Sequence, residues 1–483
     1  MSVGPTGPGG STGPGGSTGP GGSTGPGGST GPGGSTGPGG TPPAAAPPDP
    51  YAPVRTRGYP KLLLTATVIG FPVCLVAFGF LAVVHALEPL LYDDLPRALG
   101  FAGTPLWWPL PLLAVAGLVT GLAVRHLPGN GGHEPADGLA LGGPPTLSAL
   151  PGVALAALAS LAFGAVLGPE APLIALGGGL AAGAARLTGR RTDAGTVAAV
   201  GAAGSFAAIS ALLGSPLLGA FLLMEVSGLA GPMLGMMLVP GLLASGIGAL
   251  VFTGLGDWTG LGTYSLALHD VPRAAGPTLP EFGWALVLGV AAAFAGTGVR
   301  RLALRLKERV ARHRVPATVL MGLVVAALAV GFSAATGKPA QELLFSGQSA
   351  LGTLFHDSAG YSMAALLLLL LGKGLAYCVS LSAFRGGPIF PALFLGAAGG
   401  VVLSHLPGLS LTPAFAMGVG AMAVAMLRLP MTSVLMATLL MGRSGLTVMP
   451  LVIVAVVVGY VVTLRLTPAP AAPGRTAPAP SAA

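Results

Sequence analysis

The chain has 483 residues, of which 52% are hydrophobic and 8% are charged. A soluble globular domain carries about a quarter charged residues, so this composition excludes an ordinary soluble protein. The formal net charge of +8 is assigned to basic residues in cytoplasmic loops, and no nucleic acid is expected as a partner. Apolar stretches of membrane-spanning length recur from Lys61 to Leu466, which predicts an all-α, polytopic protein in the lipid bilayer.

Two terminal segments are predicted to be disordered tails. Residues 1–53 are rich in Gly, Ser, Thr and Pro, with glycine at every third position over 4–40, and residues 467–483 are rich in Pro and Ala. Such compositions are typical of flexible segments without a packed core. The region between them, 54–466, is predicted to form one transmembrane transport domain.

Fourteen apolar segments follow one another in this region, and several are too short to cross a bilayer alone. In chain order they are 62–87, 106–124, 147–167, 170–187, 197–213, 216–227, 233–252, 284–299, 319–334, 364–381, 391–402, 415–427, 430–441 and 448–466. Arg55, Arg57 and Lys61 precede the first segment, so the positive-inside rule places the N-terminus in the cytoplasm. The C-terminus is expected on the same side of the cell membrane. Asp257 is predicted to lie in a loop.

One carboxylate interrupts the apolar sequence. Glu170 lies in GAVLGPEAPLIALGGG, residues 164–179, between Pro169 and Pro172. Both prolines suit the start of a helix better than its interior. A buried acid in a membrane segment is costly and therefore marks a candidate functional site. A helix that begins at Glu170 would also direct free backbone N–H groups at the site, which is an arrangement that binds anions.

A similar pattern returns in the second half of the chain. PLIALG at 172–177 corresponds to PALFLG at 391–396, and the alignment places Ile389 opposite Glu170. Further downstream, a second pair of proline-containing segments also matches. Duplicated halves with short, Gly/Pro-interrupted segments are typical of transporters with a binding site near the bilayer midplane. The first repeat is predicted at about 61–255, the second at about 280–442, and a last helix at about 446–466.

These motifs resemble, in order and spacing, the chloride channel (CLC) family of anion channels and proton-coupled anion exchangers. Gly168–Pro172 matches the family motif G-[KR]-E-G-P, and Gly386–Pro391 matches G-G-x-F-x-P. Ser215–Gly219 matches S-x-P-L-x-G in part, and Gly131–Pro135 replaces G-S-G-I-P. The resemblance covers about 54–466. It implies an inverted repeat of tilted and broken helices and a homodimer with one pore in each subunit, and it makes 54–466 a transmembrane anion-transport domain.

The resemblance also implies a role for individual residues. Glu170 corresponds to the gating glutamate: its ionised carboxylate occupies an anion site, and its protonated form swings away to let chloride or a similar small anion pass. Gly132 stands where the family's anion-binding serine is expected, so a backbone N–H group or His133 would have to replace the hydroxyl. Anion identity is therefore open. The expected anion-binding residues are Gly132, His133, Glu170, Ala171, Ile389 and Phe390.

A second departure concerns proton coupling. The family's exchangers carry a second glutamate immediately after the position of Glu225, and here that residue is Val226. Because valine cannot carry a proton, channel-like conduction is favoured over exchange. The alternatives are an H+/Cl− antiporter with a rewired proton path, and a secondary transporter of another anion or solute. Glu225 is expected to cap a helix end or to form an ion pair.

The remaining polar residues are given structural roles. Two interpretations of His133 are open. In one, His133 and Glu134 form a solvated pair; in the other, protonated His133 attracts anions. The histidines are scattered and none pairs with another at i, i+4, so an enzyme, a metal site and a cofactor are not expected. The cations of the membrane region are expected to snorkel to the interface or to cap helix C-termini, and they are Lys373, Arg385, Arg428 and Arg443.

Overall fold

The computed structural model describes residues 52–139, 143–188, 194–228, 232–260 and 266–467. Both predicted tails lie outside the described residues except at 52–53 and 467, so their disorder stays a prediction. The described helices are α1 (Ala52–Arg55), α2 (Gly58–Pro89), α3 (Leu95–Ala98), α4 (Pro109–His126), α5 (Leu150–Ala162), α6 (Glu170–Thr188), α7 (Ala194–Leu213), α8 (Pro216–Ser227), α9 (Pro232–Thr259), α10 (Leu279–Arg312), α11 (Arg314–Thr336), α12 (Ala350–His356), α13 (Met363–Ala383), α14 (Ile389–Ser404), α15 (Leu411–Leu427), α16 (Pro430–Leu440) and α17 (Gly445–Leu466).

Eight helical stretches of the described chain are long and apolar enough to cross a membrane. They are Gly58–Ala98, Pro109–His126, Ala194–Leu213, Leu238–Thr259, Leu279–Arg312, Arg314–Thr336, Met363–Ala383 and Gly442–Leu466. Helix α10 has 34 residues, which gives it a length of about 50 Å against a hydrocarbon core of about 30 Å. Its basic C-terminal part, residues 300–312, therefore continues the same helix beyond the apolar layer.

Shorter apolar helices lie between the long ones and are largely buried. Helices α14 and α15 have 16 and 17 residues and few exposed side chains. Glycines allow these helices to cross closely: a Cβ atom on Gly396 of α14 would lie 2.2 Å from the carbonyl oxygen of Gly418 on α15. In the first half, a Cβ atom on Gly177 of α6 would lie 2.6 Å from the carbonyl oxygen of Gly204 on α7. Both halves thus use the glycine that ends the PxxxxG motif for the same small-residue crossing.

The starts of α6 and α14 are brought together by the extended segments before them. Gly168 and Gly387 pair as an antiparallel bridge, in which the N–H of Gly168 donates to the carbonyl oxygen of Gly387 at 2.8 Å and the reverse bond measures 2.5 Å. Irregular backbone of this kind is tolerated at membrane depth only where protein covers it. The bridge fixes the two helix N-termini against each other, and the candidate functional site lies at this junction.

All fourteen predicted apolar segments overlap a helix, but three details differ. Helix α9 continues to Thr259, so the predicted loop position of Asp257 is wrong. In the predicted segment 147–167, the helix α5 already ends at Ala162. Gly164 has a positive φ of 105°, and an α-helix cannot continue through that conformation. Helix α12 was not predicted because its seven residues contain no long apolar window.

Candidate anion-binding site

Glu170 is the first residue of α6 and is completely buried. Its Oε1 atom accepts a hydrogen bond from the backbone N–H of Phe390 at 3.2 Å and a shorter one from the N–H of Ile389, both at the start of α14. Its Oε2 atom has no hydrogen-bond partner among the described residues. The carboxylate of one half-helix therefore occupies the N-terminus of the other.

This arrangement has the chemistry of an anion site. The first N–H groups of a helix have no partner within the helix, and the helix dipole adds about half a positive charge there. A free anion that displaced the carboxylate would meet the same N–H groups of Ile389 and Phe390. The junction therefore holds a carboxyl group on backbone N–H groups, without a cationic side chain.

Two glycines leave the space that the carboxylate fills. A Cβ atom on Gly168 would lie 2.0 Å from the Oε2 atom of Glu170, and one on Gly387 would lie 2.3 Å from the same atom. Contacts below 3.0 Å do not occur for real Cβ atoms. Both glycines are thus required by the position of the carboxylate and not only by the turn in the backbone.

Tyr377 and Ser380 on α13 hold the same junction and were not singled out from the sequence. The Tyr377 hydroxyl donates to the carbonyl oxygen of Pro388 at 2.6 Å, immediately before α14. The Ser380 hydroxyl oxygen accepts from the N–H of Val166 at 3.0 Å, on the segment that leads to α6. In the sequence, Tyr377 stands out only as a tyrosine within a leucine-rich segment. That pattern does not reveal its partner Pro388, eleven residues away.

A cavity of about 560 Å³ contains the other predicted site residues. We call it the Gly132 cavity, and its lining includes Gly132, His133, Ala171 and Val226. Ala171 follows Glu170 directly, so the cavity reaches the residue next to the buried carboxylate. The six predicted site residues thus form two adjoining groups, one at the junction of α6 and α14 and one on the wall of this cavity.

The backbone conformation at Gly132 disfavours a serine, or any other side chain, at this position. Gly132 has a φ of 89°, a region that L side chains rarely adopt, and a Cβ atom would lie 3.3 Å from Val153. The N–H of Gly132 donates to the carbonyl oxygen of Gly129 at 2.9 Å. The His133 Nε2 atom lies 2.8 Å from the carbonyl oxygen of Gly138. In this conformation neither group is a free replacement for the missing hydroxyl.

Glu134 is not part of a solvated pair with His133, and that interpretation is wrong. Its carboxylate binds Lys307 at 2.7 Å, Arg314 at 2.9 Å and Arg385 at 3.1 Å. Burial raises the pKa of Glu134, but the hydrogen bonds and charges of these three cations outweigh it and lower the pKa to about 2. The partners lie 173 to 251 positions away, so sequence spacing could not reveal them.

We predict that Glu134→Gln destabilises the protein. Since the folded-state pKa of about 2 lies below the ordinary value of 4.5, the stabilisation is fully present above about pH 4.5 and is lost as the pH falls towards 2. The shift corresponds to roughly 3 kcal/mol at neutral pH as an upper estimate. Thermal melting of the detergent-solubilised protein at pH 7 should give a lower Tm for the variant, with Glu308→Gln, an exposed position on α10, as the matched control. Equal Tm values for the two variants would contradict the prediction.

Lys373 and Arg385 are buried, so the expectation that they snorkel is wrong. The Lys373 ammonium group donates to the carbonyl oxygens of Glu342, Leu343 and Leu344 at 3.0, 3.1 and 2.8 Å. Arg385 is only 2% exposed and donates to the carbonyl oxygens of Phe384 and Asn130, besides its ion pair with Glu134. Capping of a helix end, the other predicted role, describes only the Arg385 contact with Phe384, which directly follows α13, and the Lys373 contact with Glu342, which ends a 3-10 turn.

Glu225 caps a helix start, as one of the two sequence interpretations expects. Its carboxylate accepts from the backbone N–H groups of Met431 and Thr432 at 3.0 and 2.9 Å, and from the Thr432 hydroxyl at 2.7 Å. This cap links α8 of the first half to α16 of the second half. Val226, the next residue, lines the Gly132 cavity. Within the described residues, no group of three or more His, Cys, Asp or Glu side chains could hold a metal ion.

The described residues contain eight stretches long and apolar enough to cross a membrane, and two interrupted helices whose N-termini meet around one buried carboxyl group. This combination is typical of a membrane transport protein with paired half-helices. The profile of the family described as "Voltage gated chloride channel" matches residues 112–464. The chain therefore belongs to that family, the CLC family. The predicted resemblance is confirmed, and so is the predicted fold class.

Individual relatives agree with this assignment. The chain is 29% identical over 367 residues to "Putative ion-transport protein YfeO" of Salmonella schwarzengrund, covering 72% of this chain and 82% of the relative. It is similar to the crystal structure of a slow cyanobacterial Cl−/H+ antiporter with a TM-score of 0.68 and 19% identity, and to that of a CLC-type fluoride/proton antiporter with a TM-score of 0.59 and 20% identity. Each comparison covers 84% of this chain and 95% of the solved chain. At these identities the solved structures show the fold.

Proposed function

We propose that the protein moves chloride or a similar small anion across the cell membrane, with Glu170 as the gate. The proposal rests on the hydrogen bonds that the Glu170 carboxylate accepts from the N–H groups of Ile389 and Phe390. In this position an ionised carboxylate blocks the site, and protonation would remove the charge that holds it there. Anions would then bind where the carboxylate lay, strongly enough to lose water but weakly enough to leave.

The Gly132 cavity provides the second half of the proposed route. Gly132, His133 and Ala171 line this space of about 560 Å³, which is large enough to hold water and lies next to Glu170. Because Gly132 has no side chain, its N–H group is occupied and the His133 Nε2 atom is bound to Gly138, an anion there would rely mainly on water. Weak, partly hydrated binding on this side suits passage better than tight coordination.

Conduction without proton coupling is the first candidate mechanism. It is supported by Val226, which offers no proton-carrying group in the Gly132 cavity, and by Glu225, whose carboxylate is engaged as the cap of α16. Proton-coupled exchange is the second candidate, and it is supported by the two structural neighbours described as Cl−/H+ and fluoride/proton antiporters.

Membrane placement and assembly belong to the same proposal. Helix α10 ends in a basic segment, 300–314, and the positive-inside rule favours a cytoplasmic location for that end and for both termini. A homodimer with one pathway in each subunit is proposed from membership of the family. We also propose the division into a first repeat at about 61–255, a second at about 280–442 and a last helix at about 446–466.

The test is a reversal-potential measurement on the purified full chain in planar bilayers or liposomes. A chloride gradient is set against an opposed proton gradient, and the measurement is repeated with nitrate, bromide and fluoride. We expect a reversal potential that follows the anion gradient and does not move with the proton gradient. A reversal potential that shifts with the proton gradient would show proton-coupled exchange and contradict conduction. Anion flux no greater than in protein-free liposomes would contradict anion transport itself.

A further inference from the structure

A second polar cavity, separate from the Gly132 cavity, lies between α10, α15 and α17. Its volume is about 170 Å³, and we call it the arginine cavity. The polar residues of its lining are Thr297, Arg300, Arg301, Arg428, Thr463 and Thr467. On α10 it lies where the apolar segment gives way to the basic one, which is the level of a membrane–water interface.

Polar atoms without partners are concentrated in this cavity. Six buried side-chain nitrogen or oxygen atoms of the described residues lack a hydrogen-bond partner, and three of them belong to its lining. They are the hydroxyl oxygens of Thr297 and Thr463 and the Nε atom of Arg428. Thr297 is 7% exposed and Thr463 is 1% exposed. Buried polar groups are normally paired, so three unpaired atoms around one space indicate a missing ligand.

The positive charge of the cavity is also only partly balanced. Three guanidinium groups face two helix C-termini, those of α15 and α17, which together contribute about one negative charge. Arg301 donates to the carbonyl oxygen of Leu466, and Arg428 donates to the Thr467 hydroxyl at 3.0 Å. None of the described residues of the lining is acidic. About two positive charges are left over, which matches an anion of one or two charges.

The nearest candidate counter-ion in the described chain is already engaged. Arg300 donates to the backbone carbonyl oxygen of Asp137 at 3.3 Å, while both carboxylate oxygens of Asp137 bind Lys307 at 2.7 Å. The described ion pairs include none with Arg300, Arg301 or Arg428. Lys307 therefore neutralises the Asp137 carboxylate, which acts on Arg300 without a direct ion pair.

We propose that the arginine cavity binds a phosphate-type oxyanion. Guanidinium groups bind phosphate oxygens with paired N–H donors, and the two free threonine hydroxyls would complete the donor set. A volume of about 170 Å³ corresponds to roughly six water molecules, which is enough space for a phosphate group. The group is either the phosphate of an anionic lipid at the interface or free inorganic phosphate, and the same donors suit both.

The test measures binding to the purified full chain with two probes, inorganic phosphate and phosphatidylglycerol, by native mass spectrometry and by the shift in Tm. Arg428→Gln and Thr297→Val, the latter preserving side-chain shape, should weaken binding of at least one probe by about tenfold or more, because hydrogen bonds to the charged oxyanion are lost. Arg309→Gln, an exposed cation of α10 outside the lining, is the matched control and should bind like the wild type.

The two probes separate the sources of the phosphate. Binding of phosphatidylglycerol alone assigns the cavity to a lipid headgroup, and binding of inorganic phosphate alone assigns it to a soluble ion; both support the proposal. If both variants bind both probes as tightly as the Arg309→Gln control does, the cavity holds only water and the proposal is wrong. None of these readouts measures transport, so their outcome is independent of the proposed anion pathway.

Discussion

Glu170→Ala and Glu170→Gln should raise anion flux at pH 7 by roughly tenfold and abolish its dependence on pH. The Glu170 carboxyl group accepts hydrogen bonds from the N–H groups of Ile389 and Phe390, and in its ionised form each such bond contributes about 1.5–3 kcal/mol. Removing it vacates the site for a free anion. In the wild type the protonated fraction of an acid changes by up to about tenfold per pH unit, so flux should increase as the pH falls. Neither variant can titrate.

The measurement is chloride efflux from liposomes between pH 4.5 and 7.5, with equal amounts of reconstituted protein. Glu225→Gln is the matched control because it removes a carboxylate that also caps a helix start, at α16 and not at the α14 junction. Its flux should keep the pH dependence of the wild type. A Glu170→Gln variant whose flux and pH dependence equal those of the wild type would exclude Glu170 as the gate, while leaving anion transport by the family fold intact.

The parts of the structure that follow from local sequence could be predicted. Pro172 and the preceding glycines fix a helix start at Glu170, and the repeated motif fixes a second start at Ile389. The glycine that ends each motif then determines where the next helix can cross. These features depend on residues within a few positions of one another, or on comparison of the two halves.

Partners that are distant in the chain could not be predicted. Glu134 and its three cations come from four separate elements, and each residue alone is typical of a solvated surface. The position of Lys373 against three carbonyl groups depends on the path of residues 340–345, which carry no strong local pattern. Charged residues in apolar sequence therefore predict that a partner exists, but the fold decides which one it is.

Gly387→Ala should raise anion flux towards the level of Glu170→Ala. The three atoms nearest to an added Cβ atom are Oε2, Cδ and Oε1 of Glu170, at 2.3, 2.4 and 2.8 Å. These atoms form the end of a side chain, so the carboxylate can move where backbone could not. The substitution should therefore displace the carboxylate from the start of α14 and open the site while Glu170 is still present. Chloride efflux at pH 7 measures the effect, and Gly399→Ala within α14, where a Cβ atom meets nothing within 4 Å, is the control.

The double variant Gly387→Ala, Glu170→Ala decides whether the carboxylate carries this effect. If displacement of Glu170 is the whole cause, Gly387→Ala should change flux by less than about twofold once the carboxylate is absent, since no coupled partner remains. A loss of flux in both backgrounds would instead mean that the methyl group distorts the bridge between Gly168 and Gly387, which measures 2.5 and 2.8 Å. The gate and the helix junction would then be one rigid unit, because the carboxylate could not leave its site without moving the start of α14.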